Sequence, residues 1–225
     1  MRAIAFDLDN TLWDVGPVLR RAEARLFAWL QQHGPRITAA LSLEDMRRAR
    51  EELARREPEH AHDFTYLRTA SLAAHAREHG YDATLAEGAF EVFLAARCEV
   101  ELYADVLPGL TRLQGRYPLA SLSNGNADLA RIGLEHLFTV SLNARQIGAA
   151  KPSQRCFERL ARELALAPTQ LLYVGDDPEL DVVAARATGF RTAWMNRTAQ
   201  EWPAALAPPD LTVRDCLDLA RALDA

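Results

Sequence analysis

Ala3-Ile4-Ala5-Phe6-Asp7-Leu8-Asp9-Asn10-Thr11 opens on an apolar run and ends in a pair of carboxylates. Four apolar residues followed by polar ones read as a short buried strand. Asp is a poor strand former and costly to bury unpaired, so packing gives no reason for Asp7 and Asp9. Open α/β sheets place ligands beyond the carboxyl ends of their strands. The first strand therefore presents Asp7 and Asp9 to a ligand.

Working outward, residues 119–122, 139–142, 171–174 and 192–195 are further apolar strand candidates. Residues 126–134, 153–164, 178–187 and 214–223 have helical patterning between them. Strands alternating with helices predict a parallel sheet covered on both faces. Residues 14–102 are only helical. The expected organisation is an α/β core of residues 1–14 and 103–225, interrupted by a four-helix insertion of residues 15–102. Hinges are expected at residues 13–16 and 102–108, so that the insertion opens and closes over the core.

Within the insertion, Leu19, Ala22, Leu26, Trp29 and Leu30 share one helical face, ended by Gly34-Pro35. Ser42 with Asp45 and Thr84 with Glu87 read as capping boxes opening later helices. A helix over residues 63–79 stops at Gly80. His75 and His79 have metal-ligand spacing, but with no accompanying acid motif they read as a solvated face. The charge-dense run 47–56 reads the same way.

Composition narrows the ligand. The chain has 225 residues, 49% apolar and 25% charged, with net charge -5. No basic stripe interleaves with aromatics, which argues against a nucleic-acid polymer. Cys98, Cys156 and Cys216 are odd in number and scattered, as expected of reduced thiols rather than a disulfide frame or zinc site. No signal-like segment precedes Asp7, and no run reaches the ~20 apolar residues of a membrane span. The expectation is a cytoplasmic protein acting on a small ligand, with no membrane partner. Nothing in the sequence specifies an oligomeric state.

Three further motifs fall at element ends: Ser123-Asn124-Gly125, Lys151-Pro152, and Gly175-Asp176-Asp177 with Asp181. A parallel sheet brings all strand carboxyl ends to one edge, so these residues are expected to converge on Asp7 and Asp9. Clustered carboxylates repel one another unless a hard cation joins them, and Mg²⁺ takes a few carboxylates plus a phosphate. Asp7, Asp9 and Asp176 are the expected ligands. An Asp with its ordinary pKa of about 3.9 is ionised and can attack phosphorus. Lys151, Ser123 and backbone N–H groups near Leu8 and Gly125 would hold the phosphoryl oxygens. Asp9 is placed to protonate the leaving oxygen and later to activate water. Asp177-Pro178 also makes a good helix start, so Asp177 is either a cap or a ligand. Asp181, one turn on, is read as orienting Lys151.

These four motifs, in this order, resemble the haloacid dehalogenase (HAD) superfamily of aspartyl phosphatases. The resemblance implies a Rossmann-like core, Mg²⁺ dependence, Asp7 as nucleophile, Asp9 as acid and base, and Lys151, Thr11, Ser123, Asn124 and Gly125 around the phosphate. It also implies that the insertion is a cap of that superfamily's first type. Members that displace halide from carbon lack the second acid and the metal site. With Asp9 present, hydrolysis of a phosphate monoester is expected. Gly16-Pro17-Val18, residues 57–63, Ser123-Asn124-Gly125-Asn126 and residues 191–196 are similar to bacterial phosphatases acting on FMN and on 5-amino-6-(5-phosphoribitylamino)uracil. A flavin-like ring would need an aromatic lid, for which Trp13, Phe64 and Tyr66 are candidates, and Arg68 would either reach the ligand or pair with a neighbouring acid. The alternatives are a broad sugar-phosphate or nucleotide phosphatase, a mutase, a dehalogenase, or a binding module. A phosphonatase is disfavoured, because residues 14–102 contain no lysine for a Schiff base.

Overall fold

The computed structural model describes residues 1–224. The chain forms two compact units, one of residues 1–14, 101–125 and 133–225, the other of residues 15–100 and 126–132. Residues 101 and 102 thus belong to the first unit, and the segment 126–132 joins the second.

In the first unit, six strands run in the order β3-β2-β1-β4-β5-β6: β1 (Ala3–Phe6), β2 (Leu119–Ser123), β3 (Val140–Asn143), β4 (Leu171–Gly175), β5 (Arg191–Met195) and β6 (Leu211–Val213). All five pairings are parallel. This is the α/β, Rossmann-like sheet that the strand–helix alternation predicts. β1, β2 and β4 are buried at every position, as strands covered on both faces must be. The strand order reverses between β1 and β4, which opens a crevice at their carboxyl ends. Asp7 extends the β1–β4 ladder by one bond, its N–H donating to Val174 O at 2.8 Å.

Apolar runs predict β1 to β5. β6 is a further edge strand of three residues, too short to register as a run.

The second unit contains α1 (Val15–His33), α2 (Pro35–Ala40), α3 (Leu43–Arg56), α4 (Phe64–Glu78) and α5 (Leu85–Arg97). The four expected helices are present, and α2 is an additional short one begun by Pro35 at its first position. Ala22, Leu26, Leu30, Ile37, Met46, Leu72, Phe93 and Ala96 form the core of this unit. Ser42 and Asp45 make the reciprocal capping box. Thr84 does not: its side chain caps nothing, and its N–H donates to Asp82 Oδ1 instead. His75 corrects the expectation of a solvated face, because it is buried beside Ser71 on α4. Burial lowers its pKa.

The remaining helices are α6 (Val106–Gln114), α7 (Leu129–Ile132), α8 (Ala144–Ile147), α9 (Gln154–Glu163), α10 (Ala184–Ala187) and α11 (Cys216–Ala222). Residues 106–108, read as hinge, are the first turn of α6. A Cβ on Gly109 would stand 2.5 Å from Cys216 Cβ, so α6 and α11 approach closely only because that position is glycine. Phe157, Leu160, Ala161, Ala185 and Phe190 pack with Ala3, Ala5, Ala120, Leu122 and Tyr173 on one side of the sheet. The three thiols are free and buried. No helix of the described residues is long and apolar enough to cross a membrane.

Candidate active site

Charged side chains gather at the β1/β4 crevice around Lys151, the chain's single lysine. Its Nζ donates to Asp7 Oδ1 at 2.6 Å, Asp181 Oδ1 at 2.5 Å and Tyr173 Oη at 3.0 Å. An ammonium has three rotatable donors on a compact head, and here each has an acceptor. A planar guanidinium could not serve three acceptors so disposed, which explains a lysine in a chain otherwise built with arginine. Tyr173 Oη passes its own proton to Leu122 O at 2.9 Å. Burial alone would weaken the charge on Lys151, but Asp181 and Asp7 hold its pKa well above the ordinary value.

Asn124 fixes the backbone beneath this lysine. Its Oδ1 accepts from Lys151 N at 2.7 Å and its Nδ2 donates to Lys151 O at 3.0 Å. The side chain expected on the phosphate is therefore spent on positioning Lys151. Ser123 Oγ accepts from Gly125 N at 3.0 Å, which leaves its hydroxyl proton to donate elsewhere and occupies the Gly125 N–H.

Asp181 reaches Lys151 from an unusual turn. Residues Pro178–Val183 form a π-helical segment in which Val182 N bonds back to Asp177 O. Such widened turns occur mostly as single bulges, frequently at functional sites. Asp177 caps it, accepting from Glu179 N and Leu180 N. Asp181 Oδ2 accepts from Asp177 N at 3.0 Å, so both oxygens of Asp181 are engaged. Gly175 makes room: a Cβ there would lie 2.3 Å from the Asp181 carboxyl.

One carboxylate oxygen from each of Asp7, Asp176 and Asp181 lies within 4.8 Å of the others. Burial first, then Asp181 and Asp176 against Lys151, raise Asp7 well above the usual carboxylate range. Burial and Asp181 push Asp176 up to about 7, against the Thr11 hydrogen bond. Thr11 Oγ1 donates to Asp176 Oδ1 at 3.0 Å and stands 3.4 Å from Asp7 Oδ2. Asp9 is outside this group; its Oδ1 accepts from the Trp13 indole N–H at 2.8 Å. Trp13 is fully buried, which removes it from the candidates for an aromatic lid.

Sequence reasoning missed the residues that brace this loop. Arg197 Nε donates to Thr11 O at 2.8 Å, and its guanidinium pairs with both oxygens of Asp105 at 3.0 Å. Cys216 N donates to Asp105 Oδ2, and Trp194 Nε1 to Asp176 O, each within 2.8 Å. Burial would raise Asp105, but Arg197 and the Cys216 N–H outweigh it and hold the carboxyl below its usual range. A depressed folded pKa contributes stability above the ordinary value of about 3.9, lost as pH falls through the folded value. Arg197→Met is therefore expected to cost about 2 kcal/mol near neutrality, by taking two charged hydrogen bonds from the half-buried Asp105. Urea unfolding of both proteins should show that difference shrinking in acid.

Tyr66 and Arg68 lie in the second unit, both on α4. Tyr66 Oη donates to Glu57 Oε2 at 2.7 Å, and its ring stacks on His60. Arg68 is buried, 3.5 Å over the Phe93 ring, and shares Glu23 Oε1 with Arg50. Burial and Arg50 push its pKa down to about 9. Arg68 thus pairs with a neighbouring acid, one of the two roles expected of it.

An aspartate behind the first strand, a lysine between two acids, and an acidic loop behind β4 meet on a Rossmann-like sheet. A family model of haloacid dehalogenase-like hydrolases matches residues 1–189, and this chain belongs to that family. Over 214 residues it is 29% identical to the 5-amino-6-(5-phospho-D-ribitylamino)uracil phosphatase YigB of Escherichia coli K12, spanning 92% of this chain and 90% of that protein. It is 36% identical over 142 residues to the phosphoserine phosphatase of Thermus thermophilus, spanning 59% and 56% of the two chains. The crystal structure of a 2-haloacid dehalogenase from Pseudomonas syringae pv. Tomato DC3000 superposes with a TM-score of 0.94 at 32% identity, covering 100% of this chain and 98% of that one.

Proposed function

We propose that this chain hydrolyses a small phosphate monoester through a phosphoaspartate on Asp7. The carrying observation is Lys151 held between Asp7 Oδ1 and Asp181 Oδ1, beside Asp176. The donor set fits a divalent cation: three carboxylates face one ammonium, and burial, with the neighbouring carboxylates adding to it, drives Asp7 and Asp176 upward in pKa. Asp7 and Asp176 would hold Mg²⁺, because Asp181 already spends both oxygens and Asp9 accepts from Trp13. The cation would supply charge neutralisation at the phosphoryl oxygens.

The Asp7 carboxylate attacks phosphorus, and the bond from phosphorus to the ester oxygen breaks. That oxygen takes a proton from Asp9. Asp9, now a base, removes a proton from water as the water oxygen attacks the aspartyl phosphate. Phosphate leaves and Asp7 is restored. Lys151 offsets the charge of two anions meeting, and Ser123 Oγ–H is available to a phosphoryl oxygen.

Residues 15–100 would act as the cap that selects the substrate. The Escherichia coli relative supports a phosphorylated ribitylaminouracil, whose phosphoribityl chain FMN shares; the phosphoserine phosphatase supports a small phosphate ester outside that pathway, so a broader range that takes in sugar phosphates and nucleotides is the alternative. The Pseudomonas syringae neighbour favours a second reading, displacement of halide from a 2-haloacid. A halide leaves without a proton, so that reaction gives Asp9 nothing to protonate. Protein with Mg²⁺ should release phosphate from p-nitrophenyl phosphate and from a metabolite panel that includes FMN, and no halide from 2-chloropropionate. Asp7→Asn should abolish release and the phosphoryl adduct seen by mass spectrometry. Full turnover in that variant would remove Asp7 as nucleophile, and halide release would exchange one reading for the other.

A further inference from the structure

We propose that Trp13 is a positioning residue that fixes which oxygen of Asp9 carries the transferable proton; this rests on the phosphatase reading above. Asp9 follows the strand on a short loop, and the last torsion of a carboxyl is broad and two-fold, so hydrogen bonds decide which oxygen faces which way. The indole N–H of Trp13 stands 2.8 Å from Asp9 Oδ1. An indole N–H only donates, and the unprotonated oxygen of a carboxyl is its better acceptor, so this bond favours keeping the proton off Oδ1. When Asp9 is protonated its proton therefore sits on Oδ2, and the leaving oxygen must be met by that atom.

Trp13 is itself held. Its ring is fully buried, and its backbone pairs with Asp9 on one side and with Leu102, antiparallel, on the other. Asn10 N donates to Trp13 O at 2.7 Å, and Tyr103 N to Leu12 O at 3.1 Å. Asn10 takes φ 61, a left-handed conformation that Asn tolerates better than most residues, and so lets the loop fold back onto Trp13. The returning segment at 102–103 thus braces the indole, and the indole sets the acid.

Leaving-group chemistry separates this role from a structural one. p-Nitrophenolate departs without a proton, whereas an alkoxide does not. Trp13→Phe keeps an aromatic ring and deletes the N–H. It should slow formation of the phosphoenzyme from β-glycerophosphate about tenfold or more, with KM little changed, and leave formation from p-nitrophenyl phosphate near the parent rate. Hydrolysis of the phosphoenzyme needs Asp9 for both esters, so p-nitrophenyl phosphate should then show a burst. Benzothienylalanine placed at position 13, with sulfur for the N–H, should behave alike and removes any doubt from altered packing. Equal slowing of both esters, or none of either, overturns the proposal. Asp9→Asn separates the two levels. No ester dependence there sinks the acid–base assignment; dependence there but not in the position-13 variants sinks only the role of Trp13.

Discussion

Replacing Lys151 by Met is expected to lower kcat/KM by about 10³-fold, the scale of losing one preorganised charge at a reacting centre. The side-chain length is kept and the charge is lost. Asp7 and Asp181, each within 2.6 Å of Nζ, would then face one another with no cation between them. The two acids can avoid this only by taking up a proton, and a protonated Asp7 is no nucleophile. Removing one partner of a buried ion pair also costs about 3–5 kcal/mol. Because the variant's native state must bind an extra proton, its deficit relative to the parent should widen as pH rises. Steady-state kinetics and urea unfolding in chelator at several pH values would measure both effects. Lys151→Arg should fare little better, since a fork cannot address Asp7, Asp181 and Tyr173 together. Turnover within a few-fold of the parent in either variant would remove the lysine from the reaction.

Gly175→Ala is expected to lower kcat by about 10²-fold with KM little changed. The new Cβ would stand 2.3 Å from the Asp181 carboxyl and 2.5 Å from its Cβ, distances no packed pair sustains. Either β4 shifts or Asp181 swings out, and both loosen Lys151. A displacement of about 1 Å near a reacting centre is worth about 10²-fold, and overpacking of this kind costs about 1–3 kcal/mol of stability. The double variant Gly175→Ala with Asp181→Gly, which removes the three Asp181 atoms nearest the new Cβ, discriminates the cause. Relief of the clash should return stability without returning activity. If stability fails to recover, the crowding lies elsewhere.

Reading these consequences from sequence alone has a physical limit, visible residue by residue. Asp7, Lys151 and Asp176 are legible because each follows or precedes a local apolar run, and a parallel sheet brings such ends together. The Tyr173 hydroxyl went unread, although a polar group inside Leu171-Leu172-Tyr173-Val174 must find a partner. So did the chain's having a single lysine, which stands beside Pro152. Asn124 against the Lys151 backbone, Trp13 against Asp9 and Arg197 against Asp105 leave no such mark. Those pairings depend on loop geometry or on residues far apart in the chain, and Asn, Trp and Arg each have many other uses. The π-helical turn was hidden for a related reason. Pro178 after Asp177 announces a helix start, but the widening to i+5 follows from tertiary contacts of Asp181 rather than from propensity.

The sheet order has a consequence for how the molecule is made. β1 is central, yet Ile4 pairs with Leu119 and Leu172, which leave the ribosome long after it. The helices of residues 15–97 pack through contacts closer in the chain and can assemble while β1 still waits. An apolar tetrapeptide with both edges bare is a liability during synthesis, and pairings distant in sequence form slowly. Nascent chains halted before β4 should hold a folded helical unit and an unplaced Asp7. Chaperone demand should therefore fall only once residue 175 has emerged.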